Sequence, residues 1–458
     1  MRLDRDICLG GHFNDREIHS IKYNGYYVYY SKFCIEYTVE PLDISLYSSL
    51  DSHYGLPCIH TKNGYSYDYF TEIEITLNDG STTTDTSVLC KDIKRIIVWY
   101  PEVTTKIEFF EAEPCSPIKT VKHCGAFDFV SMYDMFRNCC YLTSVDTSSW
   151  NTLSVTDMSN MFYNCSSLNT FIPNGLSTKN VTSMCHMFNN CESLTELDLS
   201  NWNVSSVEDM MYMFCHCISL ASLNLNDWNT SSATTMKGMF DDCRNLISLD
   251  LSSFNTENVT DMSAMFHNCS NLTSLELNNF DTNKVIDMNG IFFECSNITI
   301  LDISRWSVHN VVDMNSMFMN CNNLTTLDLS NWYTNDVTDM NRMFYYCESL
   351  TELNLSNFNT NNVTNMYRMF TMCSSLEILD LSNFDMNNVT DTEGMFTGCH
   401  KLHTLKLNNC DIDTINKIIT SQYFPTRSIS GVIRKIYVKR DYEGLLTPPE
   451  NWQFEYVD

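Results

Sequence analysis

The sequence has few basic residues and no long apolar run. It contains 28 Lys and Arg against 56 Asp and Glu, which gives a formal net charge of −28. Nucleic acids and anionic membranes bind positively charged surfaces, so this balance argues against both as main partners. A transmembrane helix needs about 20 consecutive apolar residues, and no such stretch occurs. We therefore expect no binding to nucleic acid and no membrane insertion.

Signatures of catalysis and of secretion are also missing. The patterns G-x-S-x-G, G-x-G-x-x-G, H-E-x-x-H and the P-loop do not occur, so the best-known short catalytic motifs are excluded. We predict that the protein is not an enzyme and has no cofactor and no metal site. The N-terminal stretch MRLDRDICLGGHFNDREIHS lacks the apolar segment of a signal peptide. We expect a removed leader or another route, such as assembly into a virus particle.

What the chain has is a strict repeat. Eleven phenylalanines from Phe136 to Phe396 lie 26 residues apart, and a cysteine follows each one by three residues. A fixed period of this length is typical of a solenoid, in which each unit buries its apolar face only against its neighbours. The repeat predicts a long recognition surface.

Residues 259–284 illustrate one unit. Apolar residues seven, four and one positions before Phe266, and three positions after it, have the spacing of one helix face. We predict a short helix of about two turns, with Thr260 as its N-cap. An L-x-x-L-x-L frame follows, which predicts a strand with Leu275 and Leu277 pointing inward. Each unit is thus expected to be strand, turn and short helix.

The outward position of the predicted strand lies ten residues after each Phe and is acidic in seven of eleven units. Stacked carboxylates repel one another and attract cationic or hydroxyl groups. We predict a binding face here and call six of its members the acidic strip. The acidic strip consists of Asp198, Asp250, Glu276, Asp302, Asp328 and Asp380. The alternative is that these side chains bond the local backbone or are solvated; a calcium ladder is weaker, because no dense acidic loop occurs.

Two further columns have more than one interpretation. We interpret the column cysteines as small buried thiols, because stacked side chains run parallel and lie too far apart for disulfides; disulfide or zinc use stays open. The position 14 residues after each Phe is mostly Trp or Phe. We predict that this aromatic column packs in the core, with a sugar-stacking platform as the alternative.

The consensus N-V-T-D-M-x-x-M-F-x-x-C-x-x-L-x-x-L-D-L-S-N-[WF]-[ND]-T, over about residues 125–410, resembles the BspA-type leucine-rich repeat. The resemblance implies a right-handed, leucine-rich-repeat-like α/β solenoid of eleven 26-residue units. It also implies adhesion or binding, without catalytic residues. The expected partner is a protein or glycan on a host surface.

The segment Asn14–Lys32 is predicted to form a hairpin around Asn24-Gly25. It resembles short segments near the start of some tailed-phage structural proteins. This resemblance implies a virion protein, tail-associated and involved in host recognition. Neighbouring virion proteins are then further partners, and the N-terminal region is a possible site of homo-oligomerisation. The alternative is a bacterial or protist cell-surface adhesin, located extracellularly.

The flanking regions lack the repeat. We divide the chain into an attachment segment (1–32), a small β-rich domain that caps the first coil (33–124), the solenoid (125–410) and a C-terminal cap (411–458). In the cap we predict a helix near Asp413–Ser421 and strands at Gly431–Val438 and Trp452–Tyr456. A basic cluster of Arg434, Lys435, Lys439 and Arg440 is interpreted as a solvated strand edge rather than a binding site.

Overall fold

The computed structural model describes residues 19–23, 26–30, 33–39, 58–61, 72–77, 81–83, 93–100, 104–108, 118–124, 129, 131–148 and 150–458. The chain divides into two compact units, Met1–Val181 and Thr182–Asp458. Each unit is described separately below.

Short strands make up the regular structure of the first unit. They are β1 (His19–Tyr23), β2 (Tyr26–Tyr30), β3 (Phe33–Val39), β4 (Cys58–Thr61), β5 (Glu72–Leu77), β6 (Thr82–Thr83), β7 (Ile93–Tyr100), β8 (Thr104–Glu108), β9 (Ile118–Cys124) and β10 (Ser144–Asp146). Strands β1 and β2 pair antiparallel, with Tyr23 opposite Tyr26, so the predicted N-terminal hairpin is present. Strands β4 and β8 form a second antiparallel pair.

The remaining strands of this unit form one six-stranded sheet in the order β10-β9-β3-β7-β5-β6. Strands β5 and β7 lie within the segment predicted to be β-rich. Strand β9 pairs in parallel with β10, with Val121 opposite Val145. The sheet therefore continues into the first repeat strand.

The second unit is a stack of coils in which equivalent residues lie side by side. Its strands are β11 (Glu196–Asp198), β12 (Ser222–Asn224), β13 (Ile378–Asp380), β14 (Thr404–Lys406), β15 (Arg434–Lys439) and β16 (Trp452–Val457). Strands β11 and β12 pair in parallel, and β13-β14-β15-β16 form a parallel sheet. Between these strands, single parallel bridges such as Glu276 to Asp302 maintain the 26-residue register. Leu275 and Leu277 are buried and Glu276 is exposed, as predicted.

A continuous column of phenylalanine rings forms the core of this stack. From Phe188 to Phe396, each ring lies parallel to the next, with centroids 5.6–5.9 Å apart and interplanar angles of 1–13°. All these side chains are buried. Burial of one such ring stabilises the fold by about 1.5–3 kcal/mol, and each ring pair adds about 0.5–1.5 kcal/mol. The predicted solenoid packing is therefore present.

The short helix predicted in each unit is wrong. The described repeats have consecutive turns at this place, and α1 (Ile412–Ile419) is the one α-helix among the described residues. The residues two before and two after each column Phe have positive φ, for example 55° at Ala264 and 53° at Asn268. These left-handed residues direct N–H groups toward the next coil: Phe266 N–H donates to Ile291 O at 2.9 Å.

The residues predicted as the helix N-terminus form a second parallel ladder. Thr260 is not an N-cap, because its N–H donates to Thr234 O at 2.9 Å and its hydroxyl donates to the same oxygen at 3.2 Å. Bridges link Asp261 to Thr235 and to Asp287. Each coil therefore contributes two short ladder segments joined by turns, and the repeat is a solenoid of strands and turns.

The C-terminal cap matches the predicted elements, with α1 near the expected helix and β15 and β16 near the expected strands. The interpretation of its basic cluster needs correction. Arg434 is buried, donates to the carbonyl oxygens of Pro425 and His400, and stacks on Trp452. Lys435 and Arg440 pair with carboxylates of the last strand and the C-terminal residue. Arg434 therefore belongs to the interior of the cap, whereas Lys435, Lys439 and Arg440 lie at its surface.

Candidate functional site

The cysteine column is part of the core. Its members are buried thiols, and those from Cys217 to Cys399 each donate to a Phe carbonyl of the neighbouring coil, as Cys269 Sγ does to Phe240 O at 3.1 Å. Burial raises the pKa of Cys321 and of Cys399 to about 12. The thiolate is the nucleophile and metal ligand, so burial favours the unreactive, neutral form of these thiols. Cys140, which lies outside the column, is disulfide-bonded.

The aromatic column is also core, as predicted. Trp228 and Phe254 stack with centroids 6.2 Å apart, and Trp332 and Phe358 at 6.4 Å. These side chains are 0–3% exposed. A sugar cannot stack on rings that are covered on all sides, so this column is no sugar platform.

The acidic strip lies on the exposed outer face of the strand ladder. Asp198, Asp250, Glu276, Asp302 and Asp328 are exposed, whereas Asp380 is half-buried. The structure brings some members into direct register, since Glu276 forms a bridge with Asp302. Asp380 instead faces a cation, because Lys406 Nζ lies 2.6 Å from its carboxylate.

Each aspartate of the strip also has a local structural role. Asp198 accepts hydrogen bonds from the N–H of Ser200 at 3.0 Å and from its hydroxyl at 2.7 Å. Equivalent bonds from the serine two residues later reach the other aspartates. The side-chain and backbone bonds of Ser200 lower the pKa of Asp198. The geometry is that of the local alternative, and ligand binding by the strip stays a prediction.

A different surface varies from coil to coil. We define the turn face as the side chains two residues before, and one and two residues after, each column Phe. The turn face is half-buried over most of its length. Its residues vary along the chain, although Asn recurs two residues after the Phe in five of eleven units, while the inward columns remain mostly Met, Phe, Cys and Leu. A constant core with a changing surface lets one scaffold carry different chemical groups along its length.

Histidine–aspartate pairs occupy the middle of the turn face. His216 Nδ1 lies 2.7 Å from an Asp242 oxygen, and His267 Nδ1 lies 2.5 Å from Asp241 Oδ1, each pair joining adjacent coils. Arg244 also contacts Asp242, at 2.6 Å. The carboxylates here are satisfied by their neighbours. The described residues hold no group of three or more His, Cys, Asp or Glu side chains arranged for a metal ion.

Tyrosines and arginines collect at the C-terminal end of the turn face. Tyr345 and Tyr346 have ring centroids 4.7 Å apart. The guanidinium carbons of Arg342 and Arg368 lie 4.8 Å and 4.9 Å from the centroid of the Tyr367 ring. A cavity opens beside them, and we call it the Tyr–Arg groove. It is lined by Tyr345, Tyr346, Arg368, Thr371, Met372, Gly394, Thr397 and Tyr423.

The repeat region matches a known protein family. A family described as "Mycoplasma protein of unknown function, DUF285" matches residues 130–248, 242–327 and 319–425, which is more than half of the chain. The chain belongs to this family. The three tandem DUF285 matches cover the coils, the acidic strip and the turn face. No curated protein matches the chain.

Among solved structures, this DUF285 chain is similar to the crystal structure of a TLR13–ssRNA13 complex. The identity is 17% and the TM-score 0.24, and the match covers 70% of this chain. The chain spans 47% of the length of that protein. In the described part of the DUF285 chain, no helix has the length and hydropathy of a membrane span.

Proposed function

We propose that this protein is a non-catalytic recognition protein, and that its solenoid carries binding groups on a turn face and on the acidic strip. The observation that carries the proposal is the division between constant and variable positions. The Met, Phe, Cys and Leu columns are buried in coil after coil, and the half-buried turn face changes from unit to unit. The side chains of the turn face are therefore not dictated by the core.

The finer proposal is a BspA-type leucine-rich-repeat protein that takes part in adhesion and is displayed on a virion, in the phage tail. The resemblance of the repeat consensus and of segment Asn14–Lys32 supports it, and the antiparallel pair β1–β2 agrees with the hairpin in that segment. A host-surface protein or glycan, or neighbouring virion proteins, would be the partner. The alternative is a bacterial or protist cell-surface BspA-like adhesin, and the match to a family of Mycoplasma proteins agrees with the bacterial form of this alternative.

Fractionation decides between these locations. Lysates of producing cells would be separated into purified particles, cell envelopes and soluble protein, and the chain quantified by peptide mass spectrometry with a known major capsid protein and a known envelope protein as controls. We expect the chain to copurify with particles at a fixed ratio to the capsid protein. Enrichment in envelopes would favour the adhesin, and accumulation in the soluble fraction alone would contradict both.

A further inference from the structure

We propose that the Tyr–Arg groove binds the carboxylated sugar of a surface glycan. This ligand class rests on the proposed recognition function and makes it specific. The groove has a volume of about 210 Å³. Sites for drug-sized ligands have about 300–1,000 Å³, so the groove has room for a single ring rather than an extended chain.

Arg368 lines the groove, and Arg342 lies beside it against the same Tyr367 ring; the protein itself neutralises neither charge. In the described part of the chain, neither Arg342 nor Arg368 forms an ion pair with a carboxylate. Glu393 lies opposite Arg368 in the next coil. Its backbone carbonyl oxygen accepts the Arg368 N–H at 3.0 Å, and its carboxylate forms no ion pair with the Arg368 guanidinium. In a chain with a net charge of −28, an anion is favoured where guanidinium groups remain unpaired. A guanidinium binds a carboxylate with two parallel N–H bonds.

The other lining groups suit a sugar ring. The three tyrosines Tyr345, Tyr346 and Tyr423 each present an apolar ring with a hydroxyl at its edge, and Thr397 adds a further hydroxyl. Such amphipathic groups pack against the C–H face of a sugar and hydrogen-bond its hydroxyls. Gly394 keeps the groove open, because a Cβ there would lie 3.2 Å from Arg368 Cγ.

Bulky side chains occupy the left-handed positions at the groove. Arg342, Tyr346, Arg368 and Met372 all have positive φ, between 54° and 63°. The left-handed conformation costs an ordinary residue about 1–2 kcal/mol, and Gly, Asn and Asp tolerate it best. In other coils the same positions carry either Asn or Gly, as at Asn160 and Gly290, or a larger side chain, as at Tyr212. The groove has such bulky residues at all four of these positions in two successive coils, against the backbone preference, as is common at binding sites.

The experiment titrates the full chain with D-glucuronate, N-acetylneuraminate, D-glucose and tri-glutamate by ligand-observed NMR. We expect at least one acidic sugar to bind at least tenfold more tightly than glucose and tri-glutamate. The two acidic sugars distinguish a ring carboxylate of the uronate type from a sialic acid. Arg368→Asn and, independently, Arg342→Asn should each weaken that binding at least tenfold, because each removes charge-assisted hydrogen bonds.

The same variants distinguish a binding role from a structural one. Relief of positive φ should leave the melting temperature of Arg368→Asn equal to or above that of the wild type, whereas a purely structural arginine would lower it. Arg305→Asn, an exposed arginine beside the strand ladder, is the matched control and should change nothing. Equal binding by wild type and both groove variants, equal binding of glucose or of tri-glutamate, or no acidic-sugar binding would overturn this proposal. Fractionation tests the proposed function independently of these titrations.

Discussion

The indole Nε1–H of Trp228 donates a hydrogen bond of 3.0 Å to the carbonyl oxygen of Leu199 in the preceding coil. Trp332 occupies the same column and is equally buried, but its Nε1–H finds no acceptor. A buried donor without a partner costs about 1–3 kcal/mol, and a satisfied one contributes about 0.5–1.5 kcal/mol. The same column therefore contains one tryptophan whose indole N–H is hydrogen-bonded and one whose buried N–H has no acceptor.

Replacement of each tryptophan by phenylalanine should separate these cases. Phenylalanine already occupies the column at Phe254 and Phe358, so the smaller ring fits. We expect Trp332→Phe to be less destabilising than Trp228→Phe by about 1 kcal/mol, because only Trp228→Phe removes an existing hydrogen bond. Denaturant unfolding of both variants measures the difference. Equal losses would show that the hydrogen bond to Leu199 contributes nothing net.

The sequence predicts the columns well because side-chain repetition directly reports stacking. The buried phenylalanines, thiols and aromatic column, the strand with Glu276 outward, and the cap elements around Ile412–Ile419 all follow from spacing and residue type. Each of these features depends on which side chains must be buried, and in the repeats that requirement is the same in every coil.

The predicted helix fails because periodicity cannot distinguish a helix face from a series of stacked turns. Both arrangements bury residues spaced by three and four. The distinguishing signal is the asparagine two residues after the column Phe, as at Asn138, Asn164 and Asn190, since Asn tolerates positive φ. A helix interior would disfavour asparagine at that place in unit after unit.

The Tyr–Arg groove could not be predicted from one unit. Its residues come from three successive coils and from Tyr423 of the cap, and none occupies a consensus position of the repeat. Only the stacked arrangement places Arg342, Arg368 and Tyr367 together. The acidic strip, in contrast, could be predicted because it repeats. The same repetition is equally expected if its aspartates serve only the local hydrogen bonds to serine.

Truncation of one ring in the phenylalanine column should be severe. Phe266 is fully buried between Phe240 and Phe292, with ring centroids 5.7 Å away on both sides. Phe266→Ala should reduce the free energy of unfolding by about 3–5 kcal/mol, through lost burial and a cavity. The half-buried Phe293 is the matched control, and Phe293→Ala should cost clearly less. Similar losses in chemical denaturation would contradict a continuous buried column.

Native-state alkylation should distinguish the column thiols from more accessible cysteines. The column thiols are buried and their pKa values are raised by burial, as for Cys217, whose pKa is about 12. We expect iodoacetamide to modify the half-buried Cys185 at least tenfold faster than Cys217 or Cys321, because only the thiolate reacts. Peptide mass spectrometry measures the rates, and all sites should react in denaturant. Rapid native labelling of the column would mean that the thiols face water.

Charge reversal tests the acidic strip. Asp250→Lys combined with Asp302→Lys should weaken adherence of the purified chain to host cells, because it replaces two exposed carboxylates by cations on the predicted binding face. The melting temperature should change by only a few degrees, since surface charges contribute little. The control is Asp281→Lys with Asp336→Lys, two exposed aspartates outside the strip with the same charge change. Unchanged adherence of the strip variant would leave the serine bonds as the strip's whole role.

A second acidic ladder should contribute to the free energy of unfolding with a pH dependence opposite to that of most carboxylates, whose pKa is lowered by folding. Asp287 lies between Asp261 and Asp313 in the parallel ladder and is half-buried. Burial and then the neighbouring carboxylates raise its pKa. A raised folded pKa means that the native state binds the proton more tightly than the unfolded chain. The stabilisation is therefore complete below the unfolded pKa and is lost as the pH rises through the folded pKa.

Asp287→Asn should consequently be more stable than the wild type at neutral pH, by less than about 1 kcal/mol because solvent screens a half-exposed carboxylate. Asn365 already fills this column and accepts the Tyr367 N–H at 3.1 Å, so the amide preserves the local bond. The advantage should shrink as the pH falls through the raised pKa. Asp250→Asn is the control of opposite sign: bonds from Ser252 lower the pKa of Asp250, so this variant should lose stability at neutral pH and approach the wild type in acid. Urea titrations across the pH range measure both differences, and parallel curves for the two variants would rule out a desolvated carboxylate ladder.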